Sequence, residues 1–311
     1  MKTPKSRIFN FACGCLFTLF IIEIALRIFF HSYFIQHPLF FKNTNIPDVG
    51  YLMRDFDFTN YHVKDKPRIA ILGDYISIHK GADGRNYPEL LDQKLKNTFE
   101  IINTGATFYS LPEEMSLLKN KLINYQPDIV VVGYVFNDLC LRNKFNALIP
   151  LNLEHDIYRF KIITPLAIKY FRILYLSRNL YPKSYKLAPS FIQYCLKTHK
   201  DPKLADLLMR SLDELNRIQK ETGIRVVFVV VPIFYNFNDP GINYMNDFIV
   251  SACQKRNLDC VNLLDVFKRN HYQAAEVKED DGDIWHPNAL GNEIIAQQIY
   301  EHIINTPALR N

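Results

Sequence analysis

Four short apolar runs constrain the fold of this 311-residue chain more than any other feature. They are rich in Ile and Val, as strands buried on both faces of a parallel sheet are, and they lie at 68–73, 100–103, 128–133 and 225–232. Segments with apolar residues at helical spacing separate or follow them: one opens at Pro88, one spans about 111–124, one runs from Asp201 to Gly223 and one follows Pro287. This alternation predicts an α/β fold, a three-layer α/β/α sandwich with a parallel central sheet.

The amino-terminal segment has the composition of a membrane anchor. In residues 8–26, 15 of 19 side chains are apolar, which at 1.5 Å per residue nearly covers a bilayer core. Glu23 lies near the far end, where its carboxylate can reach the interface. Three basic residues precede the segment, so the positive-inside rule predicts a cytoplasmic amino terminus. With no small-residue cleavage motif after it, we expect an uncleaved signal anchor, a single-pass transmembrane helix whose partner is the lipid bilayer.

The remaining chain divides into a polar connector at 41–66 and a body at 67–311, after an anchor region at 1–40. The body contains an insert at about 141–203 that breaks the strand and helix rhythm. This insert carries 12 Lys and Arg against 3 Asp and Glu, together with ten Phe and Tyr. Two interpretations stay open. The insert lies on anionic headgroups or holds an anionic glycolipid, or it is a helical lid whose aromatic side chains pack on the sheet.

Net charge, missing motifs and residue spacing together exclude several functional classes. A net charge of +5 is too small to indicate a nucleic-acid partner. No G-x-G-x-x-G follows the first strand and no Walker lysine is present, which argues against a dinucleotide or P-loop site. The six cysteines match neither a zinc site nor a dense disulfide framework, although Cys140, Cys195, Cys253 and Cys260 could form two bridges in an oxidising compartment. The acidic residues 279–281 lack EF-hand spacing. We expect no metal and no cofactor.

Polar residues follow each predicted strand, where ligands bind in open parallel sheets. Gly73-Asp74-Tyr75 follows the first strand, Asn103 begins a stretch through Gly105 to Phe108 after the second, and Asn137-Asp138 follows the third. Asp283 and His286 form a D-x-x-H pair before the final helix. Taken alone, that pair could equally be a helix-entry cap in an acidic loop.

This order of motifs resembles the SGNH (GDSL) hydrolase superfamily, especially its membrane-anchored bacterial members, over about residues 67–304 apart from the insert. The resemblance implies that Asp283 orients His286 as the general base. It also implies that the Asn137 side chain and the backbone N–H groups of Tyr75 and Phe108 form the oxyanion hole. It gives a loop-supporting role to Gly73, Asp74, Gly105 and Asp138, and it places the main domain on the periplasmic side of a bacterial inner membrane.

The sequence departs from the family pattern at the nucleophile. Tyr75 occupies the serine position, and its phenol oxygen lies several Å farther from the Cα than a serine hydroxyl would. The next hydroxyl, Ser77, is the fallback catalytic hydroxyl, although we expect it to point away as a cap or packing residue. Phe108 stands at the oxyanion glycine, and Val135 replaces a glycine two residues before Asn137.

Two functions follow from these matches and departures. The first is a hydrolase-like protein, an esterase or O-acyltransferase, that acts on acyl (O-acetyl or lipid) esters of an envelope glycan or lipid. The alternative is a catalytically inactive module of the same fold that binds a glycan, lipid or partner protein, with Tyr75 and Phe108 as an aromatic floor.

Overall fold

The computed structural model describes residues 13–14, 17–22, 41–43, 51–53, 64–96, 98–106, 109–139, 188–280 and 283–305. The chain divides into two compact units, Met1–Phe41 with Asn143–Pro182 and Lys42–Arg142 with Lys183–Asn311. In the first unit the description covers only residues 13–14, 17–22 and 41, so most of the predicted anchor at 8–26 and of the insert lies outside it. No helix in the described ranges is both long enough and apolar enough to cross a bilayer.

Five parallel strands form the central sheet of the second unit. After a separate two-stranded sheet of β1 (Phe41–Asn43) and β2 (Tyr51–Met53), the chain forms β3 (Arg68–Gly73), β4 (Glu100–Asn103), β5 (Ile129–Val135), β6 (Arg225–Val231) and β7 (Asp259–Asn262). Their spatial order is β4-β3-β5-β6-β7. The predicted parallel sheet and its first four strands are thus confirmed, and β7 is an additional edge strand. In this order β3 and β5 lie side by side although β4 separates them in sequence, which creates a topological switch point.

Eight helices connect and cover these strands within the described residues. They are α1 (Tyr87–Lys94), α2 (Leu111–Asn120), α3 (Ala188–Lys200), α4 (Pro202–Thr222), α5 (Pro240–Gln254), α6 (Leu263–Arg269), α7 (Ala274–Val277) and α8 (Ala289–Asn305). Helix α1 packs on α8, whereas α2, α3, α4 and α5 pack on one another. Right-handed crossovers in this strand order place α1 and α2 on opposite faces of the sheet, so the helices form the two outer layers of the sandwich.

Local sequence signals explain where the helices begin and end. Asn86 caps α1 by accepting a hydrogen bond from the Glu89 amide at 2.9 Å, and Glu89 reciprocates on the Asn86 amide. The predicted helix from Asp201 to Gly223 is confirmed as α4, with Asp201 as its N-cap and Gly223 in the left-handed conformation at its end. The predicted helix at 111–124 is shorter. Because Lys121 leaves helical geometry, α2 stops at Asn120 and a 3₁₀ turn, Leu122–Tyr125, follows.

The only described part of the insert, 188–203, consists of α3 and the start of α4. Helix α3 packs on α4 and α5, and its buried Phe191 ring lies 4.0 Å from the Trp285 ring, centroid to centroid, so this part of the insert is packed on the body of the domain. Cys13, Cys253 and Cys260 form no disulfide bond. Cys15 and Cys140 lie outside the described residues.

Candidate active site

The loop after β3 is shaped by a side-chain cap. Asp74 accepts a hydrogen bond from the Ile76 amide at 2.9 Å and starts a short 3₁₀ turn, Tyr75–Ser77. The His79 amide then donates to the Tyr75 carbonyl at 2.8 Å. One tight turn therefore sends alternate side chains of the loop in different directions, with Tyr75 toward the top of the sheet and Ser77 into it.

Asp283 and His286 form a hydrogen-bonded pair in the loop before α8. The Nδ1 atom of His286 lies 2.6 Å from Oδ2 of Asp283, while Oδ1 of Asp283 accepts from the amides of Trp285 and His286 at 2.7 and 3.1 Å. Burial alone would raise the pKa of Asp283, but the hydrogen bond and charge of His286 and the two amides outweigh it and lower the pKa. An ionised Asp283 can only accept, so Nδ1 carries the proton and Nε2 has a free lone pair.

Tyr75 lies directly against this pair. The centroid of its ring is 4.5 Å from that of the His286 imidazole, with 58° between the ring planes. The structure thus brings Tyr75 together with the Asp283 and His286 pair, more than two hundred positions later in the sequence. The Tyr75 ring is therefore one of the side chains that pack against the imidazole.

Asn137 joins the cluster from the end of β5, across the switch point. Its side-chain amide lies 3.4 Å from Oδ2 of Asp74, a carboxyl whose pKa is raised by burial. The Tyr75 amide also interacts with the Asp74 carboxyl, so this backbone donor, proposed for the oxyanion, already has a partner. Phe108, the other backbone donor expected for the oxyanion, lies outside the described residues.

The residues expected to support the loops make backbone contacts. The Gly105 amide donates to the Asn103 side chain at 3.0 Å, and the Asn103 amide group donates to the Ser77 carbonyl at 2.8 Å. Asp138 is buried and accepts from the Val135 amide at 2.7 Å. The Asn103 bond fixes the end of β4 to the loop after β3, whereas the Asp138 bond shapes the turn at the end of β5.

Ser77 is packed beneath the site instead of facing it. It is 1 % exposed, and its hydroxyl lies 2.8 Å from the phenol oxygen of Tyr87 in α1. Three glycines leave room for it. A Cβ on Gly73 would overlap the Ser77 hydroxyl, one on Gly105 would lie 2.5 Å from the Ser77 Cβ, and one on Gly133 would lie 2.9 Å from the hydroxyl of its partner Tyr87. The Ser77 hydroxyl is therefore a packing group whose partner is a buried tyrosine.

Sequence analysis missed several residues of this region. Glu114 is fully buried below the site with neither carboxyl oxygen hydrogen-bonded, and its pKa is raised by burial and by the charges of Asp74 and Glu113. His79, which the sequence analysis did not single out, stacks on His286. Its spacing from Tyr75, four residues along a helical turn, was a signal for a shared side. Nothing in the sequence pattern marks Glu114 as different from an exposed helix carboxylate.

In the described part of the chain, no group of three or more His, Cys, Asp or Glu side chains is arranged to hold a metal ion. The site is instead an imidazole and carboxylate pair with a phenol and an amide beside it. Such a set can take a proton from an attacking oxygen and can donate a hydrogen bond to a developing oxyanion.

No protein-family model and no curated protein matches the sequence. Solved structures that resemble the chain include an acetylxylan esterase from Geobacillus stearothermophilus, 14% identical with a TM-score of 0.48 over 80% of this chain and 99% of that one. Another is an alpha/beta hydrolase enzyme from the metagenome of Lake Arreo, 17% identical with a TM-score of 0.47 over 78% of this chain and 96% of that one. A third is a lipase/acylhydrolase from Enterococcus faecalis, 17% identical with a TM-score of 0.42 over 76% of this chain and 95% of that one. At such identities the likeness concerns the fold.

Proposed function

We propose that this chain cleaves or transfers acyl esters, O-acetyl or lipid, with His286 as the general base. The observation that carries the proposal is the 2.6 Å hydrogen bond that fixes the His286 ring on Asp283 while Tyr75 lies against the same ring. A helix-entry cap would need only the backbone contacts of Asp283. The additional bond to Nδ1 orients a base, which a cap does not require.

In the proposed reaction the Tyr75 oxygen is the nucleophile. Its proton passes to Nε2 of His286 as the oxygen bonds to the acyl carbon, and the side-chain amide of Asn137 donates to the carbonyl oxygen. The alcohol then leaves with the proton from His286, and water hydrolyses the tyrosyl ester with His286 again as base. A phenol with a pKa of about 10 is only about one part in a thousand ionised at neutral pH, so the reaction depends on this base.

The substrate we propose is an acylated glycan or lipid of the bacterial envelope. The support is the predicted anchor at 8–26, which would hold the body beside a membrane, and the predicted orientation that exports it to the periplasm. Under this proposal the bilayer is a partner of the anchor, and the ester is presented at or near its surface.

The test is turnover of p-nitrophenyl acetate by the full-length protein in detergent. We expect His286→Ala to lower kcat by about 10²–10⁴ and Asn137→Ala to lower it by about 10²–10³. Tyr75→Phe should abolish turnover while keeping the ring contact, and the exposed His271→Asn serves as the matched control. Turnover that survives His286→Ala unchanged would refute the assignment. Turnover that survives Tyr75→Phe but not His286→Ala would assign the attack to water.

A binding module without catalysis is the second candidate, and one observation favours it. The next hydroxyl after Tyr75, that of Ser77, is buried and contacts the Tyr87 hydroxyl. The side chain beside the Asp283 and His286 pair is therefore the aromatic ring of Tyr75 and not a small hydroxyl. Aromatic faces stack well against sugars and lipids. On this candidate the wild-type protein has no turnover in the same assay, and Tyr75→Ser introduces measurable hydrolysis.

A further inference from the structure

A second imidazole stacks on the base. The rings of His79 and His286 have centroids 4.3 Å apart and are tilted by only 20°, and the Tyr75 ring lies 5.4 Å from the His79 ring. The three rings therefore form one cluster, in which His79 covers a face of His286 and Tyr75 lies against both. The His79 side chain is 16% exposed, too little for a side chain that points into solvent.

A second carboxyl stands behind this second imidazole. Oε2 of Glu279 lies 3.7 Å from Nε2 of His79, and both atoms are buried without a hydrogen-bond partner. Glu279 belongs to a segment that pairs with the loop carrying Asp283 and His286. The Glu279 amide donates to the His286 carbonyl at 3.0 Å, and Lys278 forms a β-bridge with Pro287. The contact between His79 and Glu279 thus joins the loop after β3 to the loop that carries His286.

The lowered pKa of His79 keeps this residue uncharged next to the proposed base His286. Burial, followed by the charge of His286, lowers its pKa to about 4, while Asp283 opposes the shift. The Glu279 carboxyl that faces it has a pKa raised by burial and by Asp283. On its own segment, the adjacent Lys80 pairs with Glu89, at 2.6 Å, and not with the cluster. At neutral pH, His79 therefore presents a neutral ring to His286.

We propose that His79, backed by Glu279, is a positioning residue for His286. Its flat ring restricts rotation of the His286 imidazole, so that Nδ1 stays on Asp283 and Nε2 stays available to an attacking oxygen. The neutral face also favours the imidazolium that forms when His286 takes a proton, because a cation is attracted to a π face. A positively charged His79 at the same distance would oppose that proton. In its catalytic part this inference rests on the proposed function, but the ordering of the ring does not.

Three variants separate the aromatic face from the titrating nitrogen. His79→Ala removes both, His79→Phe keeps the face alone, and Glu279→Gln keeps the imidazole but removes the carboxylate behind it. Lys80→Ala is the matched control, because Lys80 is the next residue and its ion pair lies away from the cluster. Circular dichroism and thermal unfolding of the full chain in detergent establish that each variant folds.

The first readout does not depend on activity. In nitrogen-15 spectra of histidine-labelled protein, we expect wild-type His286 to populate a single tautomer with the proton on Nδ1. His79→Ala should mix the tautomers and broaden the signals, and His79→Phe should restore the single tautomer. The His286 spectrum of Glu279→Gln should be intermediate between those of His79→Ala and His79→Phe. This variant provides the test if His79→Ala fails to fold. Identical His286 spectra in wild type, His79→Ala and Glu279→Gln would overturn the inference.

The second readout is kinetic, with p-nitrophenyl acetate as the probe. We expect His79→Ala to lower kcat by roughly ten- to a hundredfold with little change in KM, because a misplaced base slows the chemical step. His79→Phe should recover most of kcat, because it keeps an aromatic face on the His286 ring. Equal kcat in wild type, His79→Ala and His79→Phe of an active protein would contradict the inference. If the wild type has no turnover but the spectra change as expected, the proposed function fails and the positioning role stands.

Discussion

The packing of Ser77 gives a test of the whole loop after β3. A methyl group at Gly73 would overlap the Ser77 hydroxyl and lie 3.3 Å from the Ser77 Cβ. Because Gly73 ends a fully buried strand, the backbone has little freedom to move away, and Gly73→Ala should cost about 1–3 kcal/mol of the free energy of unfolding. Ser77→Ala leaves the buried Tyr87 hydroxyl without its 2.8 Å partner, which should cost about 1–3 kcal/mol.

The double variant is the informative one. With Ser77 already alanine, the atom that the new methyl group would overlap is gone, and only the Cβ contact remains to be relieved by a small shift. Gly73→Ala should therefore cost little in the Ser77→Ala background, which gives a coupling energy of about 1–2 kcal/mol between the two positions.

Urea unfolding of the four proteins measures this coupling. The single tryptophan of the chain, Trp285, lies beside His286 and provides a fluorescence signal from the site itself. Additivity of the two substitutions within about 0.5 kcal/mol would refute the placement of Ser77 between the glycines. The same Ser77→Ala protein should keep its ester turnover, and loss of turnover without loss of folding would instead identify Ser77 as a catalytic hydroxyl.

Three further predictions concern buried ionisable groups. Glu114→Met should stabilise the protein by about 1–3 kcal/mol at neutral pH, because it removes two buried oxygens without hydrogen bonds. Since burial raises the pKa of Glu114, the gain should be larger at pH 8 than at pH 5 in urea unfolding, and a loss at both would contradict it. Burial also lowers the pKa of His199 to about 4, so stability should fall by up to about 3 kcal/mol as pH drops from 6.5 to 4, and His199→Gln should flatten that slope. The lowered pKa of Asp283 contributes stability above pH 3.8 that is lost as the carboxyl protonates below it, and acid titrations of Asp283→Asn should lack this loss.

The sequence predicted the sheet because its strands are buried on both faces. Ile and Val runs such as β5 and β6 have no polar alternation to obscure them, and Pro232 directly after β6 marks where that strand ends. The edge strand β7 escaped prediction because its central pair is Cys260 and Val261, a weaker strand signal than Ile101 and Ile102 in β4, which has the same length. Helix α5 escaped as well, although Asp239 and Pro240 form a normal cap and first turn.

The site was predictable only where residues follow strands or form a known spacing. Asp74, Asn137 and the D-x-x-H pair were found in this way, since the strand order brings carboxyl ends of parallel strands to one edge. His79, Glu279 and Tyr87 were not, because their roles come from packing between elements far apart in sequence. The proximity of His79 to Glu279 depends on how two loops meet, and no local pattern encodes it.

The contact between α1 and α8 holds the loop after β3 next to the loop that carries Asp283 and His286. The Tyr87 amide at the start of α1 donates to the buried Asn292 side chain of α8 at 3.0 Å, and Lys94 pairs with Glu293 at 2.6 Å. A Cβ at Gly81 would lie 2.6 Å from the Ala289 nitrogen, so the loop after β3 touches the backbone where α8 begins. The loop that carries Asp283 and His286 is therefore positioned by helix packing, by the contact of His79 with Glu279 and by the Tyr75 ring that lies against His286. All three supports are contacts between segments far apart in the sequence, which is why a local motif alone could not place the imidazole.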